Sequence, residues 1–222
     1  TGSGKTAGFV LPILEKLYQQ QRENRRENQH RGAHSQDIRV LILTPTRELA
    51  AQVNESIHIY SKHLRLRHGV VFGGVNINPQ IRMLQRGLDI LVATPGRLLD
   101  LYNQKKVRFS QVNTLILDEA DRMLDMGFIH DIRRLMKTLP TQRQTLMFSA
   151  TFSPEIRQLG KGLLKQPVEV SVTPPNATVE AISQVAYTVE KSQKSTLLSR
   201  LILNNNWEQV LVFTRTKHGA NR

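Results

Sequence analysis

Thr114-Leu115-Ile116-Leu117-Asp118-Glu119 is a short apolar run that ends in two adjacent carboxylates. Similar apolar runs occur at residues 40–43, 70–72, 90–93 and 145–148, with helix-like segments between them. Continuous apolar runs separated by helices are typical of parallel strands that are buried on both faces of a sheet. The chain is therefore predicted to have an α/β fold, in which helices flank a parallel sheet.

The spacing of the apolar residues predicts helices over residues 8–21, 47–60 and 122–139. The stretch 19–36 is rich in Gln, Arg, Glu and Asn and has almost nothing to bury, so it is predicted to be a helix end that continues into a solvated loop. Its mixed charges favour a linker over a dedicated RNA-binding arm.

A composition change near residue 172 predicts a domain boundary. Residues 168–172 resemble a last strand, and the Pro-containing stretch 173–180 resembles a linker. Beyond it, strands are predicted at 182–189 and 210–214, with a helix at 194–203 between them. We therefore expect a first domain over 1–172 and the start of a second domain over 181–222.

The balance of charges favours an anionic partner. The 222 residues carry a formal net charge of +13, which suits nucleic acid, although acidic lipid or simple solubility would also be compatible with it. The absence of cysteine excludes disulfides, thiolate catalysis and Cys-ligated zinc. The seven histidines form no compact metal-binding pattern, and no apolar run approaches the roughly 18 residues that span a bilayer.

Thr1-Gly2-Ser3-Gly4-Lys5-Thr6, followed by an amphipathic helix, matches the end of a phosphate-binding P-loop whose first two positions would precede Thr1. In such a loop, backbone N–H groups surround phosphate oxygens, Lys5 reaches the outer phosphates and Thr6 holds Mg²⁺. The competing interpretation is a flexible Gly-rich terminus without a ligand.

Asp118 and Glu119 supply the carboxylates that a metal-nucleotide site needs at the carboxyl edge of a sheet. Asp118 is predicted to bind Mg²⁺ directly or through water, and Glu119 to orient or deprotonate the attacking water. Two carboxylates after a strand are also a common helix start, because they favour the first helical turn. The P-loop upstream favours the catalytic interpretation.

Asp118-Glu119-Ala120-Asp121 resembles the signature of the DEAD-box RNA helicases, and the other motifs of that family occur in the family's order. They are motif I (1–6), motif Ia (Pro45-Thr46-Arg47-Glu48-Leu49-Ala50), the GG motif (Gly73-Gly74), motif Ib (Thr94-Pro95-Gly96-Arg97), motif III (Ser149-Ala150-Thr151) and motif IV (Val212-Phe213-Thr214-Arg215). Residues 72–76 and 118–128 most resemble the bacterial RhlE-type branch. The resemblance implies RecA-like domains.

The resemblance also implies ATP as the nucleotide, with Mg²⁺, and single-stranded RNA held by its sugar-phosphate backbone. Ser149 and Thr151 would couple the nucleotide site to RNA through the Asp118 to Asp121 segment. The residues implied in RNA contact are Thr46, Arg47, Gly73, Gly74, Thr94, Arg97, Thr214 and Arg215. Without the resemblance, the glycine pair could be a turn, Pro95-Gly96 a strand-to-helix corner, and Ser149 to Thr151 a strand end followed by a helix that begins at Ser153.

By resemblance, an adenine-recognition segment would precede Thr1, and motifs V and VI, with an arginine finger, would follow Arg222. Such a finger contributes about 10³–10⁵-fold in rate in comparable NTPases, so we expect the 222 residues alone to hydrolyse ATP poorly. The expected activity is RNA unwinding or RNP remodelling by a cytoplasmic monomer, with RNP or ribosome-assembly partners. An RNA clamp reset by hydrolysis, and a P-loop kinase or transporter ATPase, are the alternatives.

Overall fold

Five parallel strands form one sheet in the computed structural model, which describes residues 4–27, 37–171, 183–216 and 219. The spatial order of the strands is β2-β3-β1-β4-β5. Their bounds are β1 Val40–Leu43, β2 His68–Val71, β3 Ile90–Ala93, β4 Thr114–Leu117 and β5 Gln144–Met147. All five agree to within two residues with the apolar runs, so the predicted parallel sheet is confirmed.

The hydrogen-bond register aligns the last residues of all five strands in one row. Across the sheet this row runs Val71, Ala93, Leu43, Leu117 and Met147. Every connection that leaves the carboxyl edge therefore begins one residue beyond the same row. This alignment gathers the predicted motif residues of the first unit at one edge of the sheet.

Helices cover both faces of the sheet, as the predicted α/β fold requires. They are α1 Lys5–Glu27, α2 Arg47–Tyr60, α3 Ile77–Gln85, α4 Pro95–Asn103, α5 Ala120–Asp125, α6 Ile129–Met136 and α7 Pro154–Leu163, while α8 Lys194–Asn204 lies later in the chain. One core contains α1 and α2 with Val40, Ile42 and Ile116, and the other contains α3 to α6 with Leu41 and Leu115. Alternate strand residues thus enter opposite cores.

The single helix predicted over residues 122–139 is wrong, because α5 ends at Asp125 and α6 begins at Ile129. Gly127 separates them with a φ of +78°, a left-handed conformation that ends a helix and that glycine adopts without steric cost. α3 and α4 were not predicted. α1 extends to Glu27, farther than the predicted end at residue 21, and residues 28–36 of the polar stretch lie outside the described residues.

The strands predicted at 168–172, 182–189 and 210–214 are also wrong, so far as the described residues extend. Residues 168–171, 183–189 and 210–214 have no strand conformation, and Val168 and Phe213 are each 88% exposed. An apolar run becomes a strand only where a neighbouring strand accepts and donates its backbone hydrogen bonds. These segments have no such neighbour in the part of the chain that is described.

The chain divides into two compact units, Thr1–Val170 and Ser171–Arg222. The described part of the second unit contains a 3₁₀ turn at Lys191–Gln193 followed by α8, the helix that the sequence predicts there. The linker predicted at 173–180 lies outside the described residues, and the start of a second RecA-like domain stays a prediction. No helix in the described ranges is long and apolar enough to cross a membrane.

Candidate functional site

Asp118 is a buried carboxylate at the carboxyl end of β4. Asp118 is only 4% exposed, and its Oδ1 atom accepts a hydrogen bond from the Glu119 N–H at 3.0 Å. Burial raises the pKa of Asp118 above its ordinary value, and the neighbouring Glu119 carboxylate raises it further. The Glu119 N–H and the positive charge of Lys5 act in the opposite direction. A cation near Asp118 would therefore stabilise its charged form.

Lys5 and Thr6 begin α1, the helix that follows the predicted phosphate loop. Gly4 has a φ of +68°, and no described atom would lie within 4 Å of a Cβ at this position. The backbone thus leaves room at the helix N-terminus, where the helix dipole and free N–H groups favour phosphate. Thr1, Gly2 and Ser3, also predicted to bind the nucleotide, lie outside the described residues.

These residues fit a Mg²⁺ ion held jointly with phosphate. Asp118 offers a buried oxygen ligand whose charged form is disfavoured without a cation, and Thr6 offers a hydroxyl at the start of α1. In the described ranges no group of three or more His, Cys, Asp or Glu could hold a metal. Mg²⁺ is commonly bound by one or two protein oxygens together with phosphate oxygens and water, so this set suits Mg²⁺.

Glu119 has a left-handed backbone conformation, with φ 50° and ψ 55°, at the position before α5. A non-glycine residue in this region is uncommon and is found preferentially at functional sites. Its carboxylate Oε2 atom lies 3.4 Å from Nη1 of Arg122. Glu119 makes no side-chain hydrogen bond to α5, but it is the N-cap residue of that helix, so the helix start that the sequence left open as an alternative is present.

Asp121 joins the end of β4 to the end of β5. Its Oδ2 atom accepts hydrogen bonds from both the backbone N–H and the hydroxyl of Thr151, each at 3.0 Å. Ser149 in turn donates its hydroxyl to the Thr151 carbonyl at 2.7 Å. A backbone bond from Ala120 N–H to the Phe148 carbonyl, at 2.9 Å, runs beside them. The structure therefore brings Ser149 and Thr151 to the Asp118 to Asp121 segment.

The charge of Asp121 is stabilised by these same contacts. Burial alone would raise its pKa, but hydrogen bonds from the Thr151 hydroxyl, the Arg122 N–H and the Thr151 N–H outweigh burial and hold the pKa below its ordinary value. Asp121 is thus an ionised acceptor that binds the Thr151 segment. The sequence prediction gave Asp121 no role of its own. Its place as the fourth residue of the Asp118 to Asp121 motif could have indicated one.

Gly73 and Gly74 lie in the connection between β2 and α3, beside Arg47. Gly74 has a φ of +76°, and a Cβ at this position would lie 2.6 Å from Nη1 of Arg47. The Arg47 guanidinium, which is half exposed, therefore lies against the backbone of Gly74. Gly73 has no described atom within 4 Å of the place where a Cβ would stand.

Arg97 connects α4 to the same loop. Its Nη2 atom donates a hydrogen bond to the Val75 carbonyl at 2.9 Å, while its buried Nη1 atom has no hydrogen-bond partner among the described residues. Thr94 is a buried residue at the start of α4, and Pro95 occupies the first turn. Thr46 caps α2, because its hydroxyl accepts a hydrogen bond from the Leu49 N–H at 3.2 Å. The strand-to-helix corner at Pro95-Gly96, which the sequence left open as an alternative, is therefore present, and Gly73 and Gly74 lie in a bend.

Gln80 is a buried polar residue that the sequence prediction missed. It is 8% exposed on α3, and its amide bonds to the backbone of Phe72, immediately before the glycine pair. Its position in the sequence could have indicated burial, because Gln80 lies one helical turn from both Ile77 and Leu84, which pack in the core.

Thr214 and Arg215 belong to the second unit and are exposed. The Thr214 hydroxyl donates to the Thr216 carbonyl at 3.0 Å, and Gly219 N–H bonds to the same threonine. The buried strand expected to carry Thr214 and Arg215 is absent from the described part of this unit.

Comparison with known proteins gives one consistent family. The profile of the DEAD/DEAH box helicase family matches residues 1–159. The chain is 39% identical over 217 residues to the DEAD-box ATP-dependent RNA helicase CshA of Bacillus cereus, with 98% of this chain and 39% of CshA covered. It is also 39% identical over 225 residues to the ATP-dependent RNA helicase RhlB of Pseudomonas aeruginosa, with 100% of this chain and 55% of RhlB covered.

A solved structure shares the fold. The yeast DEAD-box splicing factor Prp28 matches with a TM-score of 0.63 and 35% sequence identity, over 74% of this chain and 38% of Prp28. The chain thus spans less than two thirds of the length of each of these relatives.

Proposed function

The chain belongs to the DEAD/DEAH box helicase family, and we propose that the protein is an RNA-dependent ATPase that locally unwinds RNA duplexes or remodels RNPs. One observation carries the proposal: the helix that follows the Asp118-Glu119 pair is hydrogen-bonded through Asp121 to Thr151 at the end of the next strand. This contact connects the segment suited to nucleotide hydrolysis with the connection that follows β5, at the same carboxyl edge as the proposed RNA-binding groups.

In the proposed mechanism, the N-terminus of α1 binds the phosphates of ATP, and Lys5 orients the outermost of them. Glu119 positions the attacking water and accepts its proton. Arg122, at 3.4 Å, holds the Glu119 carboxylate in place before the nucleotide binds. When bound, Mg²⁺ held by Thr6 and Asp118 would supply charge stabilisation to the phosphate oxygens.

RNA would be held through its backbone. Arg47 and Arg97 offer planar guanidinium groups that suit phosphate, and the connection 72–76 between them offers glycine backbone that a ribose-phosphate chain could approach closely. Because such contacts read no bases, we expect binding that depends little on RNA sequence. We also propose RNA contacts for Thr46 and Thr94, which cap the starts of α2 and α4. Thr214 and Arg215 of the second unit are proposed to contact RNA as well.

Several finer assignments are part of the proposal. Residues 72–76 and 118–128 support the RhlE-type branch, while the relatives reported above are named CshA and RhlB. We also propose a domain boundary at 172, which rests on the Pro-containing stretch that follows it, and a second RecA-like domain from 181, which rests on the resemblance of residues 212–215 to motif IV. A cytoplasmic monomer with RNP or ribosome-assembly partners is the setting that we propose.

The test is ATP hydrolysis with and without single-stranded RNA, in the intact wild-type protein and in the intact Glu119→Gln variant. We expect RNA to raise the wild-type rate several-fold, and we expect Glu119→Gln to abolish turnover while it still binds ATP. Asp125→Asn is a matched control, since Asp125 is an exposed carboxylate at the other end of α5.

An ATP hydrolysis rate that RNA does not change would contradict the helicase assignment and favour a P-loop ATPase that acts on another substrate.

A second experiment, duplex release with a non-hydrolysable nucleotide, distinguishes RNA unwinding from RNA clamping. Release without hydrolysis and without strand reannealing supports unwinding driven by ATP binding, whereas retention of both strands supports an RNA clamp.

A further inference from the structure

Gln80 pairs with the backbone of Phe72 as a neighbouring strand would. Its Oε1 atom accepts from the Phe72 N–H at 3.2 Å, and its Nε2 atom donates to the Phe72 carbonyl at 3.1 Å. β2 is an edge strand of the described sheet, and Phe72 is the first residue beyond its last paired position. The Gln80 amide therefore holds the backbone at Phe72, immediately after the last residue of β2 that pairs with β3.

The same amide also reaches the far end of the connection. Gln80 Nε2 lies 3.5 Å from the Asn76 carbonyl, and the Asn76 side chain accepts from the Asn78 N–H at 2.9 Å, which caps α3. One buried side chain thus contacts both ends of residues 72–76. Gly73 and Gly74 lie between these two points.

Packing alone does not require an amide at this position. Ile77, Ile81 and Leu84 on the same helix are apolar and contact one core. A buried amide is disfavoured unless its hydrogen bonds are made, so an apolar residue would serve a purely structural role. The hydrogen bonds of Gln80 instead go to the backbone that adjoins the glycine pair.

We propose that Gln80 is a positioning residue that holds Gly73 and Gly74 in the conformation that binds the RNA backbone. The inference rests on the proposed function, since it assumes that this connection contacts RNA. Arg97 supports the middle of the connection at Val75, and Arg47 contacts Gly74, so Gln80 completes a set of three side chains from three different helices. Gln80 itself is buried and touches no RNA.

The experiment compares Gln80→Met with Gln85→Met. Methionine keeps the length and volume of the side chain and removes both hydrogen bonds, while Gln85 is an exposed residue on the same helix. Affinity for a labelled single-stranded oligouridylate is measured by fluorescence anisotropy in the presence of a non-hydrolysable ATP analogue. Affinity for the analogue and the melting temperature are measured for each variant.

We expect Gln80→Met to raise the Kd for RNA about fivefold or more, with the Kd for the nucleotide analogue within about twofold of wild type. Gln85→Met should leave both unchanged. RNA affinity in Gln80→Met equal to that of wild type would overturn the proposal. An equal loss of RNA and nucleotide affinity together with a lower melting temperature would also overturn it, since that result indicates general destabilisation.

Gln80→Glu provides a second variant if Gln80→Met does not fold. It keeps the acceptor for the Phe72 N–H but places a carboxylate oxygen against the Phe72 carbonyl in place of the donor, so we expect the Kd for RNA to rise at least as much as in Gln80→Met. A Kd equal to that of wild type would contradict the role of the donor. Failure of the wild-type protein to bind RNA at all would instead refute the proposed function, which distinguishes the two conclusions.

Discussion

Gly74 illustrates how single residues define the surface next to the sheet edge. Its φ of +76° disfavours any residue with a Cβ, and the Arg47 guanidinium occupies the space that a Cβ would need. Gly73, its neighbour, has neither constraint in the described structure. The two glycines therefore have different reasons for their identity.

We expect Gly74→Ala to destabilise the protein by about 1–2 kcal/mol, because alanine is strained in the left-handed region. Arg47 must also move, which should weaken RNA binding. Gly73→Ala should change stability by less than about 0.5 kcal/mol, since a surface substitution without strain has a small effect. Urea unfolding of both variants measures the difference, and equal destabilisation would show that the φ of Gly74 is not limiting.

The sequence predicted the roles of the charged residues better than the roles of the residues that position the backbone around them. Lys5, Asp118 and Glu119 could be assigned because the chemistry of phosphate and water requires those side chains after a loop and a strand. Asp121 and Gln80 act through hydrogen bonds to distant backbone, at Thr151 and Phe72. Such partners become visible only when the strand order is known.

Among the elements, α5 and α6 show the effect of one backbone conformation. Gly127 has a φ of +78° between them, while Gly162 lies within α7, and neither would bring a Cβ within 4 Å of a described atom. The same substitution should therefore act in opposite directions at the two positions. Steric contact plays no part in this comparison.

Gly127→Ala is expected to destabilise by about 1–2 kcal/mol through backbone strain. Gly162→Ala is expected to stabilise by roughly 0.4–1 kcal/mol, because it lowers the entropy of the unfolded chain and suits a helix. Melting temperatures measured by calorimetry check both. A stabilising Gly127→Ala would mean that α5 and α6 can join into the single helix that the apolar spacing indicates.

The strands were predictable where they pair within the sheet, and most closely where they are buried. The burial of β1, β3 and β4 at every position explains why continuous apolar runs marked them correctly. Residues 210–214 are equally apolar in sequence but exposed and unpaired in the described structure. Apolar character indicates the capacity to form a strand, whereas pairing depends on a neighbour that local sequence does not identify.

For the molecule as a whole, the charge of +13 predicts binding that weakens steeply with salt. An arginine that contacts a phosphate releases one counterion on binding. Its replacement should therefore reduce the slope of log Kd against log salt concentration by about 0.7 for single-stranded RNA. Arg47→Gln should show this reduction. Arg108→Gln should not, because Arg108 is exposed before β4, toward the opposite edge of the sheet.

The measurement is the Kd for a labelled single strand at several KCl concentrations. Equal slopes for wild type and Arg47→Gln would remove Arg47 from the RNA surface. A reduced slope for Arg108→Gln would show that RNA extends beyond the carboxyl edge. Both outcomes would be visible in the same titration series, without any knowledge of the RNA that the protein meets in the cell.

The common row at the ends of the five strands has a consequence for engineering. Since every connection starts one residue after that row, extra residues inserted farther along a connection would leave the strand register and the other four connections unchanged. A deletion within a strand would reverse the facing of its side chains and shift its connection by about 3.3 Å. New recognition loops could therefore be grafted between β2 and α3 while the carboxylates after β4 keep their places.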